Sequence, residues 1–555
     1  MNASYIALSA IIIFILAYRW YSRFLSHKIF ELPKLSSLMS TPAHKQRDNI
    51  DFIPTNKNIL IGHHFSSIAG AAPIVGPAVA AIWGWLPAMI WVIAGVIFMG
   101  ACHDFGSLVL SMKHKGGSIA KVAESVIGPR ARTLFLIVIF FLVWMVIAVF
   151  TLVIANLFIS FPSSVIPVNF EIIIAILMGL FINKKGGSLK IPSLIAQATL
   201  FIMIYLGTKY PISLSTWFGQ SELMAWIILL MIYSFFASTM PVWLLLQPRD
   251  YINSHQLFLG LGLMTIGLFI VSPEIVAPAI NPNPVGAPPM FPFLFITIAC
   301  GAISGFHGLV SGGTTSKQVS NWTDARPVAY GSMLGEGFLA ILATLAVTSG
   351  FANQSAWHNH YANWGAANGL NAKISAFVLG AGKFVAGVGI SQEVSKTVIA
   401  VLIISFAATS LDTACRIQRY IIAEIGSSFN IKPFQNRYIG SSIAVFSALG
   451  LMLSNKGGSG GLKIWPLFGA TNQMLACLTL VVISVYLIKN KKSALNFLIP
   501  AGFVALITSI GLFINIKIFS QAQNLFLATI AIILFLAQAM IIIESLIAIK
   551  KAKNI

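Results

Sequence analysis

Hydrophobic residues in this chain come in long blocks. They show neither the period of two of a half-buried strand nor the one-sided stripe of a surface helix. Fifteen apolar runs of spanning length fall near 4–20, 59–82, 85–112, 133–160, 163–182, 191–207, 223–246, 256–272, 291–310, 328–349, 397–414, 438–454, 465–488, 495–516 and 523–548. About 20 helical residues cross a hydrocarbon core of roughly 30 Å. The pattern predicts an all-α, polytopic membrane protein with about 15 transmembrane helices. Residues 374–390 are apolar but Gly-rich and carry Lys383, and they read as a half-helix or re-entrant piece. The polar stretch 350–372 reads as a loop, and Gln247–Tyr251 as a helix-ending turn.

Run 59–82 is wrong for a plain span. Gly62, Gly70, Pro73, Gly76 and Pro77 crowd it, and Pro removes a backbone donor while Gly relaxes the chain. Backbone groups freed at membrane depth are tolerated only against protein or a water-filled cavity. A second interruption is expected at Ser234–Pro241 of run 223–246, with Ser238 and Thr239 beside it. Two broken helices five spans apart and running in opposite directions predict an inverted five-helix repeat. Its halves are expected at 59–207 and 223–414, with 438–548 as additional C-terminal helices of one membrane domain over 1–555.

Composition agrees: of 555 residues, 57% are hydrophobic and 9% charged. The net charge of +20 does not point to nucleic acid, because the Lys and Arg lie in short loops. With the N-terminus outside and the C-terminus cytoplasmic, 28 of the 35 basic residues face the cytoplasm. That fits a multi-pass membrane protein. The first run lacks a basic leader and cleavage site, so it reads as a retained span. Cys102, Cys300, Cys415 and Cys477 are far apart and form no CxxC spacing.

Ionisable groups inside apolar runs carry the chemistry, since their burial is costly. His63, His64, Ser66, Ser67 and Gly70 open the broken run, and Ser304 and His307 close run 291–310. With Ser238 and Thr239 they are the candidates for binding substrate or ion. His103, Asp104, Glu336 and Asp412 are the candidates for proton coupling, each also readable as a structural ion pair. Only one of the adjacent His63 and His64 need face a pathway, because neighbours on a helix point apart. No metal site or catalytic constellation is expected. Without GxxxxGK[ST], nucleotide-driven pumping is excluded, and the histidines lack HExxH-type spacing for a haem or metal redox protein.

The segments HHFSSIAGAAPIVGP, GACHDF, QPRDYI, ACGAISGFHGLVSGGTTSK, YGSMLGEGF, TSLDTACRIQRYI and WPLFGATNQMLA closely resemble the carbon starvation protein A (CstA) family, from Gly62 to Ala476. The resemblance implies a secondary transporter with the inverted-repeat fold of the amino acid–polyamine–organocation superfamily. It implies uptake of a small carboxylate such as pyruvate, or of short peptides, under nutrient limitation. Proton symport is expected, with Na⁺ the other possible coupling ion. No cofactor, enzyme activity or nucleic-acid partner is expected; the partners are the substrate and membrane lipid. A nutrient-sensing receptor is the competing reading. Three positions depart from the family pattern: Gly312 and Ser316 stand where it has Ser and Pro, and Trp322 where it has Glu. The chain ends at Ile555, before the C-terminal part of the longer members.

Overall fold

The computed structural model describes residues 1–48, 51–185, 190–215, 222–241, 243–365, 370–453 and 464–553. Among these residues the regular structure is helical, apart from two isolated β-bridges. Twelve helices are long and apolar enough to cross a membrane, and one bent pair makes a thirteenth span.

Helix α1 is Ala3–Ile29. The bent pair follows as α2, Lys57–Ile68, and α3, Ala72–Trp83, with a 48° bend between them. Pro73 sits in the first turn of α3, where its missing N–H costs nothing, and this is what stops α2 from continuing. The break falls at 69–71, among the Gly and Pro residues that crowd run 59–82. Next come α4 (Trp85–Lys113), α5 (Pro129–Ser160), α6 (Pro162–Phe181), α7 (Ile191–Lys209), α8 (Glu222–Thr239) and α9 (Leu246–Val271).

The second break is not where the sequence suggested. Helix α8 runs unbroken through Ser234 and Ser238 and stops at Thr239. Pro241 lies beyond its last turn, so it terminates the helix rather than interrupting it. Run 291–310 is the one that breaks, into α10 (Met290–Thr297) and α11 (Gly305–Gly313). The two breaks face each other. A Cβ on Gly76 would lie 2.4 Å from the Thr297 carbonyl oxygen, so only glycine allows this approach.

The chain continues with α12 (Trp322–Ser349), α13 (Leu370–Ala386), α14 (Gln392–Ser428), α15 (Arg437–Leu453), α16 (Trp465–Lys489), α17 (Leu495–Gln521) and α18 (Leu525–Lys551). Each of the fifteen apolar runs thus has a helical counterpart, although α10–α11 is split and α15 is only 17 residues long. Helix α13 does not span. Its Lys373 lies over Trp465 at the start of α16, its Gly380 abuts Ala346 near the end of α12, and Gly387 meets Val271 at the end of α9. It therefore lies across the end of the bundle that holds the N-terminus, where Ala3 donates to the Pro273 carbonyl.

Burial separates centre from rim. The apolar window of α14 is 100% buried and α14 packs along α5, whereas Leu177, Ile195, Leu506 and Ile543 on α6, α7, α17 and α18 face outward. Such an apolar girdle is stable only against lipid. At the other end of the bundle, Lys492 pairs with Glu31 at 2.9 Å and holds its carboxyl below the usual range.

Candidate functional site

The break between α10 and α11 is held from a distant helix. Asn472 of α16 accepts from the Phe306 backbone N–H (3.0 Å) and donates to Ser304 Oγ (3.1 Å). This satisfies a first-turn N–H of α11 that has no partner within its own helix, as the membrane interior requires. Asn472 lies in the WPLFGATNQMLA segment, yet its role was not evident there, because nothing local shows which break an asparagine will serve.

Directly below the break, four buried ionisable groups meet. Asp104 of α4 accepts from His103 Nδ1 through Oδ1 (2.8 Å) and from His307 Nδ1 through Oδ2 (2.9 Å). The other ring nitrogen of His307, Nε2, lies 3.2 Å from Glu336 Oε2 on α12. That contact is close enough for an ion pair but off-line for a hydrogen bond, and both Glu336 oxygens lack a hydrogen-bond partner among the described residues. Gly308 leaves room for His103, since a Cβ there would sit 3.2 Å from the imidazole. His64 approaches from α2, its Nδ1 at 2.8 Å from Thr315 Oγ1 and its Nε2 without a partner among the described residues.

This arrangement constrains protons. A neutral imidazole donates from one nitrogen only, and an ionised carboxyl can only accept. His307 can therefore serve both acids as an imidazolium between two carboxylates, or as neutral histidine beside one protonated carboxyl. Either way the trio holds a proton that can change owner without moving a helix.

Between the breaks lies a small cavity of about 10 Å³, lined by Gly70, Pro73, Phe150, Ser304, Ser410 and Phe468 among others. That is room for about one water. The N-terminal ends of α3 and α11 both open on it. Ser67 Oγ and Ser410 Oγ are buried nearby without partners among the described residues.

The other predicted residues go elsewhere. Asp412 joins a second buried cluster, pairing with Arg249 Nη1 and accepting from Tyr233 OH (2.6 Å). Arg249 Nε also faces Glu171 at 3.4 Å, and Glu171 accepts from Ser405 Oγ (2.7 Å). Arg249, Glu171 and Tyr233 were missed as a group. Gln247–Tyr251 are not a turn but the first turns of α9. His63 donates from Nδ1 to Asp250 Oδ2 (2.6 Å), beneath a cleft of about 260 Å³ lined by Ile59, Gln247, Tyr251 and Gln318. Ser66 Oγ donates to the Gly62 carbonyl (2.8 Å). Ser238 and Thr239 donate back to Phe235 and Phe236 carbonyls at the end of α8, and Ser238 also meets Ser441. They make no contact with the histidine–carboxylate cluster among the described residues, because the interruption that would have placed them there is in α10–α11. Of the departing positions, Ser316 bonds Ser111 Oγ (2.9 Å), and Trp322 Nε1 donates to the Met39 carbonyl (2.8 Å).

The model of the carbon starvation protein CstA family matches residues 2–362 and 349–511. The chain belongs to the CstA family. A peptide transporter CstA of Campylobacter jejuni is 33% identical, over 92% of this chain and 80% of that protein. The pyruvate/proton symporter BtsT of Escherichia coli is 30% identical, over 94% of this chain and 82% of that protein. A solved structure of a manganese transporter from Eremococcus coleocola aligns over 91% of this chain and 99% of that one, at 12% identity and a TM-score of 0.45. This CstA-family chain is a multi-pass membrane transporter of small molecules and not an enzyme.

Proposed function

We propose that this transporter imports a small carboxylate such as pyruvate, or short peptides, by proton symport across the bacterial cytoplasmic membrane. The N-terminus and α13 lie outside and the His63 cleft opens to the cytoplasm. The observation that carries this is His307 between Asp104 and Glu336. A group of two acids and one imidazole that must share protons, buried beside two facing helix breaks, is suited to coupling. The helix N-termini at the central cavity favour an anionic group there through their free N–H groups and dipoles.

Packing supports an inverted repeat with other boundaries than 59–207 and 223–414. Helix α2 packs on α9 as α10 packs on α16; α3 meets α12 as α11 meets α4; α8 and α15 each touch both α5 and α14. On this reading the halves are α2–α5 with α8–α9, and α10–α12 with α14–α16, while α6 and α7 are inserted.

The test is uptake into proteoliposomes. Labelled pyruvate should accumulate above equilibrium under an inward pH gradient, and lactate or dipeptides should compete if they share the site. Accumulation under a Na⁺ gradient alone would replace the proton by sodium. Binding without accumulation under either gradient would favour the receptor reading.

A further inference from the structure

At the end of the bundle that holds the N-terminus, opposite the His63 cleft, a second and larger cavity of about 390 Å³ opens. Phe293 and Thr297 of α10, Trp364, Trp465 of α16 and Asn515 of α17 form its walls. Asn515 is 1% exposed, and its Nδ2 donor has no partner among the described residues. Trp364 packs on Trp83 at 5.3 Å, which fixes that wall.

Lys373 packs against one of these walls, Trp465, without itself lining the cavity. It is 4% exposed, and its ammonium lies 5.1 Å from the centre of the Trp465 ring. No carboxylate pairs with it among the described residues. A buried ammonium facing only an aromatic ring is incompletely compensated, because the ring quadrupole replaces just part of the lost hydration. An anion entering the cavity would complete it. Trp465 in turn meets Phe468 edge-on at 5.7 Å, and Phe468 lines the central cavity. Helix α10 and the break after it border both spaces, with Thr297 on one and Ser304 on the other.

We propose that this cavity is an entry site for a small monocarboxylate anion, held by the Asn515 amide and the charge of Lys373 before it passes Trp465 to the centre. The proposal rests on the carboxylate-import reading and its orientation above. It also narrows the substrate. The described walls carry no Asp or Glu to receive the ammonium end of a peptide, whereas their aromatic faces suit a short acyl chain. A zwitterion gains at one end only, so the site selects for a net negative solute.

Kinetics of pyruvate uptake by the full chain in proteoliposomes test this. Lys373→Gln and Asn515→Leu should each raise KM about tenfold, the loss of one charge-assisted hydrogen bond, with kcat little changed. Lys373→Arg should keep KM near the parent value. Titrating the purified protein with pyruvate should perturb tryptophan fluorescence in the parent and much less in Lys373→Gln. If the parent accumulates pyruvate and neither variant moves KM, the entry site is wrong while proton-driven import stands. If the parent accumulates only dipeptides, both the entry site and the carboxylate reading fall. If Lys373→Gln lowers kcat and protein yield together while Asn515→Leu leaves KM unchanged, Lys373 is a packing element and the site is overturned.

Discussion

His307 Nδ1 stands 2.9 Å from Asp104 Oδ2, joining residues 203 positions apart on α11 and α4. The bond ties the half-helix after one break to the long helix that follows the other. An unpaired polar atom in the interior costs about 1–3 kcal/mol. Here Glu336, on the far side of the same imidazole, has two oxygens without hydrogen bonds among the described residues. On the proposed proton-symport reading, this carboxyl is where the cluster takes up and releases a proton.

The contact between the breaks predicts a steric lock. Gly76→Val would place its Cβ 2.4 Å from the Thr297 carbonyl, against backbone that cannot rotate away. Overpacking of this kind costs about 1–3 kcal/mol. The variant should melt at lower temperature in detergent and transport poorly. Gly313→Ala, with no atom within 4 Å of the added Cβ, should behave like the parent.

Arg249 gives a contrasting expectation. Arg249→Met would leave Glu171 and Asp412 buried without their cation, a loss of about 3–5 kcal/mol. Folded yield should fall sharply. Adding Glu171→Gln and Asp412→Asn should restore much of it, because no uncompensated charge then remains. If Arg249→Met alone accumulates and melts like the parent, the cluster is not a structural pin.

These two sites mark what the sequence could and could not reveal. The Gly and Pro of run 59–82 act on their own backbone, so the first break was legible where it occurs. The break at 298–304 contains no proline; it is held open by Asn472 from α16, a tertiary effect that local pattern cannot show. Pro241 misled for the converse reason, because a residue just past a helix end looks the same in sequence as one inside it. Asp104, His307 and Glu336 stood out as ionisable groups in apolar runs. Their meeting did not, since it depends on which helices pack. Arg249 was read into a helix-ending turn because hydropathy starts the run at 256, ten residues after α9 begins at Leu246. The polar first turns of α9 are buried by their own partners rather than by apolar character.

Orientation can be checked by cysteine labelling. The four native cysteines are buried, so background should be low. Lys45, Lys121 and His358 are all exposed at the surface. In intact cells an impermeant maleimide should label His358→Cys and spare Lys45→Cys and Lys121→Cys. Labelling of Lys121→Cys from outside would reverse the proposed topology and put the His63 cleft on the outer face.

The shared proton makes the sharpest prediction. Asp104→Asn keeps size and one acceptor but cannot ionise, so His307 loses the anion that favours its imidazolium form. Proton-driven accumulation should fall to the equilibrium level, while exchange of preloaded substrate across the membrane survives. Glu336→Gln fixes the other carboxyl in its neutral shape and should also weaken accumulation. If the two acids hold one proton through His307, the double variant should be no worse than Asp104→Asn alone. Independent sites would instead give additive losses. Additivity would therefore separate Glu336 from the coupling group. Loss of exchange together with protein abundance in Asp104→Asn would make the cluster structural. Unchanged accumulation and pH dependence would move the coupling to His63 and Asp250, which are joined at 2.6 Å beneath the opposite cleft.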